Sequence, residues 1–131
     1  MTALHLRIRA LLHKSVLLCA GAMAVQSAAC AAAPAAPPVD AARGSRLISQ
    51  YQCGACHVIP RIASARGRDG PSLQGFGRRS YIAGRLPNTA DTLARWIESP
   101  AALVPSTTMP DMGVTERDAR DMAAWLMQQR D

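Results

Sequence analysis

The chain has 131 residues, with 15 Lys and Arg against nine Asp and Glu (formal charge +6) and only 4% aromatic residues. That length allows one small domain with extensions. The basic surplus is dispersed and side chains able to stack on bases are scarce, which argues for no nucleic acid as partner.

Residues 1–14 carry Arg7, Arg9 and Lys14 and no acid; the apolar run Val16 to Val25 follows, then the small residues Ser27 to Ala33. Charged, apolar and small in that order describe a secretory signal peptide over residues 1–30, with cleavage at about 29–33. The apolar run is shorter than the ~20 residues of a membrane span. Cys30 follows Ala29 as in a lipoprotein site, but Ser27 stands where such sites favour leucine. A periplasmic, exported protein is expected. The alternative is membrane anchoring, by an uncleaved N-terminal segment or by lipid on Cys30.

Residues 31–39, rich in Ala and Pro, read as a linker, and residues 40–131 as the compact domain. Three of the basic residues fall in the leader and all nine acids fall after it, so the remainder carries +3.

Asp40 to Gln52 reads as a helix: Asp40 caps it, and Leu47, Ile48 and Tyr51 share one face. Gly44 inside it lowers helix propensity, either for close packing or as a tolerated residue near the first turn. The helix leads into Cys53-Gly54-Ala55-Cys56-His57, the C-x-x-C-H pattern of covalent haem c attachment. Each thiol adds across one vinyl group of the haem, and the adjoining imidazole reaches the iron. A thioredoxin-like dithiol would follow a strand, and no strand-rich pattern precedes Cys53. A zinc site needs four ligands, and His57 is the only histidine after residue 13, with no cysteine beyond Cys56. A domain of this size has few ways to fill its interior; a tethered haem supplies the missing apolar mass.

Residues 58–87 are rich in Gly, Pro and Arg and read mostly as loop, with a short helix near Ser80–Ala83. Asn88 or Thr89 caps a helix through Glu98 with Leu93, Trp96 and Ile97 on its apolar stripe, and Pro100 ends it. Pro105 to Pro110 is extended. Thr115 to Asp118 resembles a capping box opening a helix to about Gln129, with Ala119, Met122, Ala123 and Leu126 inward and Trp125 alongside. No sheet is indicated: the expected class is all-α, three main helices around the haem. Glu98 and the scattered aspartates read as solvated charges.

The iron has one further axial position, and a second histidine ligand is not available after the leader. Met122 and Met127 lie on the last helix and read as core filler. Met109 and Met112 lie in the irregular segment before it. Pro110 stiffens the loop at Met109, which favours that residue while leaving Met112 open.

These residues carry a resemblance. The stretch from about Ala42 to Gln129 resembles a class I (mono-haem) c-type cytochrome of the bacterial exported type. It does so through Cys53–His57, Gly70-Pro71-Ser72-Leu73, the Trp96 helix, Met109-Pro110 and Ala123-Ala124-Trp125-Leu126. The resemblance implies one haem c, covalent through Cys53 and Cys56, with iron held by His57 and Met109. It implies further that the Pro71 carbonyl orients His57 and that Leu73 packs on the haem face. Trp96 and Tyr81 then lie near the propionates, Arg85 is an ion partner for them, and Gly44 lies where the first and last helices cross, with Trp125 opposite. No catalytic residue is expected. The implied function is one-electron transfer between periplasmic or membrane redox partners by a monomeric carrier that is not an enzyme. The alternative is a haem subunit fixed in a dehydrogenase or oxidase complex, docked at the membrane. A small peroxidase or gas-binding haem protein needs an open sixth position, against which Met109-Pro110 argues. The arginines from Arg61 to Arg85 suit an acidic partner.

Overall fold

Asp40 opens the first helix. Its carboxylate accepts the Arg43 N–H at 2.9 Å, and α1 (Ala41–Gln50) buries Gly44, Leu47 and Ile48 along one face. The computed structural model describes residues 36–131; the expected signal peptide, its cleavage region, Cys30 and residues 31–35 of the linker lie outside the described residues. Residues 36–39 are exposed and without regular structure. α1 stops because Gln52 turns left-handed (φ 54°, ψ 31°), and the chain enters a 3-10 turn, Cys53–Ala55.

Three more helices follow: α2 (Ala90–Glu98), α3 (Pro100–Leu103) and α4 (Glu116–Met127). Thr89 caps α2, accepting the Thr92 N–H at 3.2 Å, while the Asn88 amide donates to the Phe76 and Arg79 carbonyls at 3.1 and 3.0 Å. Pro100 does more than end α2. Ser99 leaves the helical region and Pro100 opens α3, where a fixed φ and a missing N–H suit the first position. Thr115 caps α4 through the Asp118 N–H at 3.2 Å. The three expected helices are present, and the single-turn α3 is an addition.

The expectation of a short helix near Ser80–Ala83, and of no sheet, is overturned. Tyr81–Ile82 (β1) and Leu86–Pro87 (β2) pair antiparallel, Tyr81 opposite Pro87 and Ile82 opposite Leu86. Ala83 (φ 49°) and Gly84 (φ 68°) are both left-handed, as tight hairpin turns require, and that folds the chain back on itself. The ribbon is a small addition to an all-α fold.

The scaffold is α4 with α1 and α2 packed on it. At the α1–α4 crossing a Cβ on Gly44 would overlap the Asp121 carbonyl, so the two backbones meet directly. Leu47 and Ile48 of α1, Leu93, Trp96 and Ile97 of α2, and Met122, Trp125 and Leu126 of α4 belong to one buried cluster. Asp118 and Asp121, expected to be solvated, are 9% and 2% exposed. Arg43 bridges them from α1, which is why two acids are tolerated there. Beyond α4 the chain returns to a second 3-10 turn, Phe76–Arg78. The Gly77 N–H donates to the Gln129 carbonyl at 2.8 Å, and the buried Gln129 side chain donates to the Trp125 carbonyl at 2.8 Å. No helix among the described residues is long and apolar enough to cross a membrane.

Candidate functional site

The left-handed Gln52 aims the chain away from α1, and the turn after it is closed by its own backbone. The Cys56 and His57 N–H groups both donate to the Cys53 carbonyl, at 3.3 and 3.0 Å. The following loop then folds back over this turn. Gly67 N–H reaches the Gly54 carbonyl at 3.0 Å, Gly70 N–H the Cys56 carbonyl at 2.8 Å, and Leu73 N–H the Val58 carbonyl at 2.8 Å. Residues without a regular secondary structure thereby gain a fixed shape.

His57 is held by that shape. Its Nδ1 lies 2.7 Å from the Pro71 carbonyl oxygen. A carbonyl only accepts, so this contact requires the proton on Nδ1 and leaves the Nε2 lone pair available to a metal. Gly70 lies flat against the imidazole, where any Cβ would collide with ring atom Cε1.

Cys53, Cys56, His57, Pro71, Leu73, Tyr81, Trp96 and Met109 all line one cavity of about 420 Å³. Five different parts of the fold supply them: the Cys53–His57 turn, the 69–73 loop, the 79–83 segment, α2 and the 107–112 segment. Leu93, Ile97, Met122 and Leu126 complete an apolar wall. Both cysteines are free thiols and half-buried. Burial pushes the Cys53 thiol pKa up, so it remains protonated.

Two features were not legible beforehand. Arg85 is not among the lining residues: it is exposed beyond the left-handed pair of the hairpin turn. The cation in the wall is Arg79, half-buried, with its guanidinium carbon 5.2 Å from the Phe76 ring centre. It donates to the Ser72 carbonyl and, at 3.4 Å, to the Gln74 carbonyl; among the described residues no carboxylate pairs with it. The sequence distinguishes Arg79 from its neighbour Arg78 in no way, and only the turn geometry does. Both loop methionines line the cavity, Met109 half-buried and Met112 43% exposed.

The residues fit a haem. A porphyrin needs an apolar slot, and the slot is present. Two unpaired thiols stand at it beside an imidazole whose outer nitrogen is occupied, a thioether is within the same wall, and one cation faces the cavity without a counter-ion. Among the described residues no three His, Cys, Asp or Glu side chains converge on a metal position of their own. An iron held by His57 would need a macrocycle for its other ligands.

The comparisons with known proteins agree with this chemistry. A family model described as cytochrome c matches residues 41–130. Cytochrome c oxidase subunit 2 of Alkalihalophilus pseudofirmus is 31% identical over 85 residues, which is 64% of this chain and 24% of that protein. Cytochrome c oxidase subunit 2 of Bacillus sp. (strain PS3) is 28% identical over 90 residues, 66% of this chain and 25% of that protein. The chain spans about a quarter of the length of these relatives. With the helical scaffold, the C-x-x-C-H turn and a match across nearly all of the described residues, the chain belongs to the cytochrome c family, in its class I form.

Proposed function

We propose that this chain carries single electrons on one haem c, attached through Cys53 and Cys56 and ligated by His57 and Met109. A bound haem supplies an iron that moves between ferric and ferrous without changing its ligands. The protein's residues do the rest. Cys53 and Cys56 would hold the group by adding across its vinyl groups, sulfur to one carbon and hydrogen to the other, to give two thioether bonds. The Pro71 carbonyl holds the His57 ring in one tautomer and orientation. Met109 offers a soft thioether that favours ferrous iron, and the apolar wall of Leu73, Leu93 and Ile97 disfavours the extra ferric charge, so the potential is expected to be positive. Arg79 faces the slot as a counter-charge for a propionate, the role that the resemblance had assigned to Arg85; Trp96 and Tyr81 line the same slot.

One observation carries this reading: two free thiols, an imidazole with its outer nitrogen occupied and a methionine share a single apolar cavity. The chain is read as an electron carrier and not an enzyme because, among the described residues, the one histidine and both cysteines are committed to the haem in this reading. Mass spectrometry of the exported protein tests it. The expected mass is that of the processed chain plus one haem, and the same spectrum reads the cleavage point near residues 29–33 and any lipid on Cys30. A colourless mature protein overturns the proposal. Addition of carbon monoxide to the ferrous form should leave the spectrum unchanged; a shift would favour the peroxidase or gas-binding reading.

The relatives' names favour a second reading, a haem subunit held within a membrane oxidase complex. Gel filtration of native extracts, following the haem, separates the two: a free periplasmic carrier elutes as a small monomer, a subunit with its complex.

A further inference from the structure

The cluster at the α1–α4 crossing is more than an ion pair. Arg43 donates through one guanidinium nitrogen to Asp121 Oδ2 at 2.6 Å and through the other to Asp118 Oδ1. The Asp40 N–H donates to Asp121 Oδ1 at 2.8 Å, and the Tyr51 hydroxyl donates to Asp118 Oδ2 at 2.8 Å. All four carboxylate oxygens are thus used, each by a donor from the α1 side. Tyr51 is the C-cap of α1, and the residue after it is the left-handed Gln52, which is followed directly by Cys53. A side chain with a Cβ in that backbone region is strained and persists only where its surroundings over-determine it. Tyr51 is the last residue before the bend with a side-chain tie to another helix.

We propose that Asp118, gripped by Arg43 and bonded to the Tyr51 hydroxyl, is a positioning residue for the Cys53–His57 segment, a strut from the last helix that holds the strained entry into the haem turn. The inference rests on reading Cys53–His57 as the attachment segment. The groups facing Asp118 are Arg43 and Tyr51 from α1 and the Thr115 hydroxyl at its own helix start; Asp121 faces the Asp40 N–H and Arg43, with Arg117 on its own helix. Burial works against the charge on each carboxylate. For Asp118 the hydrogen bonds from Tyr51 and Arg43 outweigh it, and for Asp121 those from Asp40 and Arg43 do, so both stay below the usual carboxylate range. A depressed folded pKa adds stability above the unfolded value, about pH 4. That stability is lost as the pH falls through the folded value.

Amide hydrogen exchange on the haem-bearing protein tests the strut. Tyr51→Phe removes one hydroxyl and leaves the ring. A hydrogen bond to a charged group is worth enough that exchange at Ala55, Cys56 and His57 should speed up about tenfold, with α2 amides changing less than about twofold. The ratio between variant and wild type at these three amides should shrink toward one below about pH 4. Should Tyr51→Phe not mature, Asp118→Asn carries the same comparison. Equal acceleration in α2 and in the turn, no acceleration at residues 55–57, or a ratio flat through the acid range would each overturn the strut. A mature protein without covalent haem would sink the attachment reading separately.

Discussion

The two walls that carry His57 and Met109 are built differently. His57 sits in a turn stitched to distant sequence, by Gly70 N–H on the Cys56 carbonyl, Gly67 N–H on the Gly54 carbonyl and the imidazole on Pro71. Among the described residues, Met109 sits in a segment whose hydrogen bonds are all short-range: Thr107 N–H to the Val104 carbonyl, Met109 N–H to Thr107 Oγ1 at 3.1 Å, and Gly113 N–H to Asp111 Oδ1 at 2.8 Å. Proline on the far side of Met109 limits the backbone without tying it to the rest of the fold. One wall is a fixed seat. The other is a strap, and it is the side from which a ligand would be lost or exchanged.

His57→Ala tests the seat most severely. Holoprotein carrying ordinary low-spin haem should disappear from extracts of the expressing cells, as read by absorption spectra. Met109→Ala comes next: the protein should still mature, but the potential should fall sharply and ferrous haem should now bind carbon monoxide. If the potential were unchanged, Met112 would be the ligand and the strap would be read in the wrong register. Gly70→Ala puts a methyl against the His57 ring. It should lower stability by about 1–3 kcal/mol and disturb the axial spectrum, measured by denaturant unfolding and electron paramagnetic resonance. Thr107→Val is the mildest. It removes one half-buried acceptor and should cost about 0.5–1.5 kcal/mol, again by unfolding, with no loss of haem. Were Thr107→Val to match Gly70→Ala, the contrast between the walls would fail.

Much of the seat was readable because its chemistry is local. Two thiols and an imidazole within five residues permit few explanations, and the caps Asp40, Thr89 and Thr115 act on backbone three residues away. What escaped depends on separation along the chain. Asp118 and Asp121 looked like surface charges because their partner, Arg43, lies 75 and 78 residues away. The hairpin was hidden because its left-handed pair is Ala-Gly, without the Asn or Asp that usually marks such turns. Arg79 and Arg85 look alike in the sequence, and only the fold puts one in the cavity wall and leaves the other exposed. Gly44 left two readings open, and its contact with the Asp121 carbonyl decides for close packing.

The return of the chain to Phe76–Arg78 has a practical consequence. Gln129 closes that turn from behind, and the residue next along it is Arg79, in the slot wall. Trimming after Met127, or fusing a bulky reporter there without a spacer, would therefore act like a substitution in the haem crevice, although the cut is made at the opposite end of the domain's sequence.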